Sequence, residues 1–371
     1  MNNFKQKLRL AVLFGGRSGE HEVSLASARS VLSILDANKY EIFPVGITPT
    51  GTWIHGENIL EAMKTGKTEN FEMVTILPDP GTPGLYRIHD GKFELFTQLD
   101  VVFPVLHGTF GEDGTLQGLL EMADIAYVGG GVLGSSVGMD KGVFKDVMTA
   151  NGIPVVGSMI VLRAEIKEDI EQVIHQAEER FGYPIFVKPA NLGSSVGISK
   201  CSNRSDLGEG LLEASEFDRR ILIERGVNAR EIEVSVLGND HPKASVAGEV
   251  LPSRDFYSYE SKYIDGTSGL VIPAQIPVST SDQIRSLAVK AFKAIDCAGM
   301  ARVDFFIDKD NGEIYLNELN SIPGFTSISM YPKLWQATGL PYDQLVDELI
   351  ELALERKNDR DLTERNFRSN S

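Results

Sequence analysis

Arg302, Asp304, Glu318 and Asn320 have the residue types and spacing that most directly invite chemistry. They lie in ARVDFFIDKDNGEIYLNELN, where two β-like runs flank Asp310-Asn311-Gly312. A three-residue turn with Gly312 left-handed pairs Lys309 with Glu313, Asp304 with Glu318 and Arg302 with Asn320. Directly opposed residues share one face of a sheet, so the four polar groups converge. A two-residue Asn311-Gly312 turn would instead oppose Asp310 to Glu313, two like charges, and move Glu318 opposite Phe305. The first register is preferred. In it Asp304, Glu318 and Asn320 form an all-oxygen set of the kind that hard Mg²⁺ takes, with Arg302 beside it for phosphate or developing oxyanion charge. Phe305, Phe306, Ile307 and Tyr315 make the hairpin too apolar to be a wholly exposed charged ribbon.

Three glycine-rich loops extend the constellation. Phe186-Val187-Lys188-Pro189 runs into a Gly-Ser-Ser loop, placing a lysine at a strand end beside unencumbered amides and the hydroxyls of Ser194 and Ser195, a setting that suits a polyphosphate. GGRSGEHEVS, from Gly15, sits between a strand and a helix. Its acidic residues near the helix N-terminus can face a ligand ammonium, with capping by Ser18 or Glu20 as the plainer alternative, and it lacks the GxGxxG order of a dinucleotide fingerprint. HGTFGEDG, from His107, follows another strand, and a lone histidine there is expected to orient its neighbours. The polar segment Ser253 to Pro273 carries Phe256, Tyr257, Tyr259 and Tyr263, as a lid would.

These loops need a scaffold. Leu8 to Phe14 and the helical periodicity of Glu22 to Leu35 form a strand–turn–helix opening of the α/β kind. Tyr40 to Ile47 and Val101 to Leu106 are further strands and Thr115 to Met122 a helix, giving a parallel sheet through roughly residue 128, with Gly56 to Phe93 left unordered. A helix is expected from Asp140 to Asn151. EIEVSVLG, SVAGEVLP, ARVDFFID and EIYLNELN predict an antiparallel sheet, followed by a helix around Tyr342 to Arg356 and a polar, frayed tail from Lys357.

LGSSVG occurs twice, at Leu133 and Leu192, in unlike flanks, which argues against internal duplication. The second copy, preceded by Lys188, is expected to cover phosphate; the first is expected to be a turn that delivers Lys141.

The 371 residues allow more than one lobe. A formal net charge of −16 gives no general reason to bind nucleic acid or an anionic membrane, so any phosphate must meet a local cation cluster. Cys201 and Cys297 are too few for a disulfide framework or a zinc site, and the apolar run before Gly15 is too short for a signal core or membrane span, so a cytoplasmic enzyme is expected.

In this order GGRSGEHEVS, HGTFGEDGTLQG, MDK, VKPANLGSSVG, IERGVNAREIEV, SKY, ARVDFF and NELNSIPGFTSISMYP resemble the D-alanine-D-alanine ligases of the ATP-grasp superfamily, from about Leu8 to Leu352. HGxxGEDG and NxxPGFT are among the more specific of these motifs. The resemblance implies a mixed α/β and α+β architecture, an ATP-grasp fold with an N-terminal Rossmann-like (pre-ATP-grasp) domain over residues 1–128. A central ATP-grasp subdomain would span 129–223, a C-terminal one with the metal site 224–356, and a polar tail 357–371. It also implies a homodimer acting on D-alanine and ATP with two Mg²⁺ ions, replaceable by Mn²⁺.

By motif, Lys141 and Lys188 would contact ATP phosphates, Glu224 with the following backbone adenine, and Glu231 the ribose. Ser194, Ser195 and their loop would cover the phosphates, and Lys262 would reach the γ-phosphate. Asp304, Glu318 and Asn320 would be the metal ligands. Glu20 would receive the first D-alanine's ammonium, Arg302 would stabilise the acyl phosphate and tetrahedral intermediate, and Ser329 would hold the second D-alanine's carboxylate. Tyr263, bonded with Ser194 and Glu20, would close the lid and exclude water from the acyl phosphate.

Two places depart from that pattern: Arg225-Gly226-Val227 stands where many members have a bulky aromatic, and Met330 where others carry leucine, a change able to alter the second substrate's fit. The nearest rival is a D-alanine-D-lactate ligase, disfavoured by Tyr263, where D-lactate users tend to carry phenylalanine or histidine. A catalytically silent ATP-binding regulator is disfavoured by the intact Arg302, Asp304, Glu318 and Asn320, and a Rossmann oxidoreductase by the absent fingerprint.

Overall fold

A computed structural model describes residues 7–193, 196–251 and 269–364. In chain order the first lobe holds β1 (Leu8–Gly15), α1 (His21–Ile34), β2 (Tyr40–Ile47), β3 (Trp53–His55), α2 (Ile59–Thr65) and β4 (Glu72–Ile76). It continues with β5 (Gly84–His89), β6 (Lys92–Gln98), β7 (Val101–Val105), α3 (Thr115–Met122) and β8 (Ala126–Tyr127). These strands form one sheet in the order β6-β5-β4-β3-β2-β1-β7-β8. Along β1 the side chains alternate: Leu10, Val12 and Phe14 enter one core, and Ala11 and Leu13 the other, so the strand is buried on both faces.

The expected parallel sheet is present only in the β2-β1-β7-β8 half. From β2 through β6 the pairing is antiparallel, which corrects the expectation for the region left unordered. Parallel pairing needs a long crossover, whereas this region joins β2 to β3, β4 to β5 and β5 to β6 by short connections, with α2 lying between β3 and β4. Its tightest is Asp90-Gly91, both at positive φ (50° and 71°), between paired His89 and Lys92. That is the two-residue Asp-Gly hairpin signal, legible in the sequence.

The chain then forms α4 (Val132–Met139) and α5 (Lys141–Ala150), followed by β9 (Ser158–Leu162), α6 (Arg163–Phe181), β10 (Ile185–Pro189), β11 (Ser199–Cys201), α7 (Arg204–Phe217) and β12 (Arg220–Arg225). Strands β11-β10-β12-β9 make an antiparallel sheet whose Ile185, Val187, Ile221 and Ile223 pack on α6 and α7. The boundary expected between residues 223 and 224 falls inside β12. The first LGSSVG is also corrected: it lies within α4 and is no turn. Its small residues serve close packing, since a Cβ on Gly134 would stand 2.9 Å from the Cα of Cys297. The second copy follows β10 in irregular backbone, with Ser194 and Ser195 outside the described residues.

The third group is β13 (Ala229–Gly238), β14 (Lys243–Leu251), β15 (Gly269–Val271), α8 (Val278–Ala294), β16 (Gly299–Asp308), β17 (Ile314–Asn320), α9 (Met330–Thr338) and α10 (Tyr342–Asp361). Strands β15-β14-β13-β16-β17 form the expected antiparallel sheet. One face carries Ile232, Val234, Val303 and Phe305 against Ile284, Ala288 and Phe292 of α8, leaving the other for polar groups. The frayed tail expected from Lys357 is corrected as far as Asp361. There α10 stays helical, with Lys357 paired to Asp124 at 3.2 Å, Arg360 to Asp124 at 2.9 Å, and Arg356 donating to the Tyr127 carbonyl at 2.9 Å. Among the described residues no helix is long and apolar enough to cross a membrane.

Candidate active site

Lysines line one wall. Asp140 starts α5, its carboxylate accepting the amides of Gly142 and Val143, both at 3.0 Å, and pairing with Arg220. Lys141 follows, its amide donating to the Ala190 carbonyl at 3.0 Å and its Nζ to the Leu192 carbonyl at 2.6 Å, beside the second LGSSVG. In the sheet, Phe186 opposes Glu224 and Lys188 opposes Leu222, so Lys188 and Glu224 are diagonal neighbours on one face. Lys188 Nζ donates to Glu224 Oε2 at 2.5 Å, and Lys145, one turn after Lys141, pairs with Oε1. Burial alone would raise the Glu224 carboxyl, but the two ammonium groups outweigh it and hold it down at about 2.

The polar face of the five-stranded sheet forms the opposite wall. Arg302 opposes Asn320 and Asp304 opposes Glu318, the two pairings expected. The turn itself is not the expected one: Asp308 donates its amide to the Glu313 carbonyl at 2.9 Å and Ile307 opposes Ile314, so Lys309 does not face Glu313. One extra residue, Asn317, bulges between Leu316 and Glu318 and restores the pairing. On β13, Glu233 opposes Asp304 and the half-buried Glu231 opposes Phe306, bringing both carboxyls to this face.

Arg302 forks onto Asp304, with Nε to Oδ1 at 2.8 Å and Nη2 to Oδ2 at 2.6 Å, and its Nε lies 2.9 Å from Glu233. Burial works against the guanidinium's charge, but Asp304 and Glu233 raise its pKa well above the usual arginine value. Asn320 donates to Asp304 Oδ2 at 3.1 Å. Among the described residues no three His, Cys, Asp or Glu side chains stand together as a ready metal cage. Asp304, Glu318 and Asn320 nonetheless supply oxygen donors on one face, a set whose chemistry fits a hard cation.

The N-terminal lobe closes the end of the cleft. Glu20 is buried at the start of α1 but makes no side-chain capping bond to it, which removes that alternative for Glu20. Ser18 accepts the Glu20 amide at 3.2 Å and donates to the His107 carbonyl at 2.8 Å. A Cβ on Gly108 would stand 2.5 Å from Glu20 Oε2, and one on Gly193 2.8 Å from the same atom. The second LGSSVG therefore begins against Glu20.

His107 orients, as expected: its Nδ1 lies 2.9 Å from the Ile322 carbonyl and its Nε2 3.0 Å from Ser27 Oγ, tying the loop after β17 to the first lobe. Burial holds its imidazole below the usual pKa, against the neighbouring Glu20. That loop ends at Ser329, the first-turn boundary of α9, whose Oγ accepts the Thr326 amide at 3.1 Å and lies 2.8 Å from Thr326 Oγ1. Met330 is buried with Val250 and Leu334, in apolar packing beneath β14.

The family model described as "D-ala D-ala ligase N-terminus" matches residues 9–130, and "D-ala D-ala ligase C-terminus" matches residues 147–351. The chain belongs to the D-alanine-D-alanine ligase family. A relative named D-alanine--D-alanine ligase from Natranaerobius thermophilus is 49% identical over 98% of this chain and 99% of its own. Another of that name, from Thermoanaerobacter sp. strain X514, is 51% identical over 96% of this chain and 99% of its own.

The solved D-alanine-D-alanine ligase from Coxiella burnetii matches with a TM-score of 0.83 and 36% identity, covering 96% of this chain and 97% of that one. The VanG D-Ala:D-Ser ligase from Enterococcus faecalis matches with a TM-score of 0.84 and 37% identity, covering 94% and 100%. The fold is accordingly ATP-grasp with an N-terminal Rossmann-like domain. Because a ligase of different second substrate shares it, the backbone alone does not set that choice.

Of the residues singled out in this ligase's sequence, Arg302, Asp304, Glu318 and Asn320 share one face, while Lys188 and Glu224 meet on the opposite wall. Lys141 stands beside the second LGSSVG, and Glu20 faces Gly108 and Gly193. Ser194, Ser195, Lys262 and Tyr263 lie outside the described residues, as does the expected lid up to residue 268. Three participants went unnoticed in the sequence. Lys145 is signalled by its i, i+4 spacing from Lys141, Glu233 by its i, i+2 spacing from Glu231, and Glu112 by its place in HGTFGEDG. Glu112 accepts the Gly108 amide at 2.8 Å and the Ile322 amide at 3.1 Å, bridging two loops.

Proposed function

We propose that the chain joins two D-alanine molecules into D-alanyl-D-alanine at the expense of ATP, releasing ADP and phosphate, for peptidoglycan precursor synthesis. Family membership over nearly the whole chain carries this reading. The two walls, one lined by lysines and one acidic with the half-buried Arg302 on it, support it.

A carboxylate resists attack by an amine, so the first D-alanine must be activated as an acyl phosphate. The second D-alanine's neutral amine attacks that carbonyl carbon, and inorganic phosphate leaves from the tetrahedral intermediate. Lys141 and Lys188 receive the ATP phosphates, with Ser194, Ser195 and Lys262 completing their cover. The backbone after Glu224 lies along the adenine, Glu224 anchors the lysines beside it, and Glu231 takes the ribose hydroxyls. Glu20 holds the first ammonium, Arg302 faces the oxyanion, and Ser329, at the N-terminus of α9, receives the second substrate's carboxylate. Tyr263 closes the site against water. Asp304, Glu318 and Asn320 are the residues that would hold Mg²⁺, which when bound neutralises phosphate charge. The proposal extends to a cytoplasmic homodimer, supported by the family resemblance and, for the location, by two free cysteines.

The test is ATP turnover by coupled phosphate release against D-alanine, L-alanine, D-serine and D-lactate. D-Alanine alone should support turnover and yield the dipeptide. Preference for D-lactate as second substrate at neutral pH would replace this reading with its rival.

A further inference from the structure

Lys145, Glu224 and Lys188 meet at one point, with side chains only 5%, 3% and 12% exposed. Each lysine takes a different oxygen of the one carboxylate. One ammonium would suffice to compensate Glu224, and burying a second adds a desolvation cost that its own pairing offsets only in part. Lys188 sits at the cleft end of β10, whereas Lys145 lies beneath it on α5, near the Val156 carbonyl at 3.5 Å. The further charged group acting on Lys145 is Glu318, from β17.

We propose that Lys145 is a positioning residue for nucleotide binding, holding Glu224 in place and compensated so that Lys188 can leave it for a phosphate and return when the product departs. The inference deepens the ligase reading and rests on it, since that reading sends Lys188 to the phosphates. Without Lys145, Lys188 would be the sole partner of a buried carboxylate. Its transfer to ATP would strand that charge, so Glu224 would compete with the nucleotide for the same ammonium.

The test compares wild type, Lys145→Met, Lys145→Arg, Glu224→Gln and the Lys145→Met/Glu224→Gln double variant. For each, kcat and the KM for ATP are measured from pH 6 to pH 9, together with the thermal midpoint. Lys145→Met should raise the KM for ATP about tenfold or more while lowering kcat at saturating ATP far less. The defect should shrink towards pH 6, where the uncompensated Glu224 takes up a proton and releases Lys188. Lys145→Arg should recover most of the loss. With Gln at 224, adding Lys145→Met should change the KM less than about threefold.

If Lys145→Met lowers the thermal midpoint, Glu224→Gln should restore it; failure to do so overturns the inference. So does a KM for ATP within about twofold of wild type across the pH range, or a loss confined to kcat. A wild-type enzyme without D-alanine-dependent turnover would overturn the ligase reading and this inference with it. An active wild type indifferent to Lys145 would overturn the inference alone.

Discussion

Arg302 and Asp304, two residues apart on β16, face each other as fork and carboxylate, with both guanidinium contacts at 2.8 Å or less. Alternation along the strand puts both side chains on the cleft face, and Glu233 on β13 braces the guanidinium from the other side. The pair fixes the position of the positive charge proposed to face the reacting oxygens. It also means that Asp304 must divide its oxygens between Arg302, Asn320 and any cation that enters.

Arg302→Lys keeps a charge but loses the planar fork, and with it the orientation that two parallel contacts impose. In D-alanine-dependent phosphate release, kcat/KM should fall by about two to three orders of magnitude, with the melting temperature nearly unchanged. Near-normal turnover would mean that any cation at 302 suffices.

Glu318→Gln keeps the shape of the residue opposite Asp304 and removes one of the carboxylates proposed for the metal. Turnover should fall by orders of magnitude in a folded protein, and added Mg²⁺ or Mn²⁺ should recover part of it by mass action. An unaltered dependence on metal concentration would remove Glu318 from the ligand set.

The hairpin bearing these residues was legible in the sequence, though partly through two errors that cancelled. The three-residue turn predicted Asp304 opposite Glu318; a different turn and a bulge at Asn317 produce the same pairing. The bulge had a signal, because buried Leu316 and Leu319 are three apart where alternation demands an even spacing. Local composition misled at α4, where GSSVG reads as a turn but close packing on the backbone at Cys297 selects helix. Lys145 was hidden by the opposite problem. A lysine four residues after Lys141 reads as helix solubility, and only the fold brings Glu224 beneath it.

Gly108 is at φ +74°, and a Cβ there would press on Glu20. Gly108→Ala should cost about 1–2 kcal/mol of stability through the left-handed backbone and should raise the KM for D-alanine by displacing the carboxylate proposed to hold its ammonium. Gly118→Ala, in α3 with open space around it, is the control and should stabilise by about 0.5–1 kcal/mol without touching KM. Parallel effects in the two variants would separate Gly108 from substrate binding.

Glu112 should make the fold less stable as pH rises. Burial, with Glu20 nearby, pushes its carboxyl up to about 8, against the lowering effect of the Gly108 and Ile322 amides. A group whose pKa is raised on folding contributes stability in full below its unfolded value of 4.5, and that contribution is lost as pH rises through the folded value. Between pH 7 and pH 9 the ionised form should therefore cost about 1–2 kcal/mol. Glu112→Gln stays neutral and keeps an acceptor for one of the two amides, so its thermal midpoint should start lower at pH 6 but decline less towards pH 9. Parallel curves for the two proteins would show that Glu112 is already ionised at neutral pH, with the two loop amides outweighing its burial.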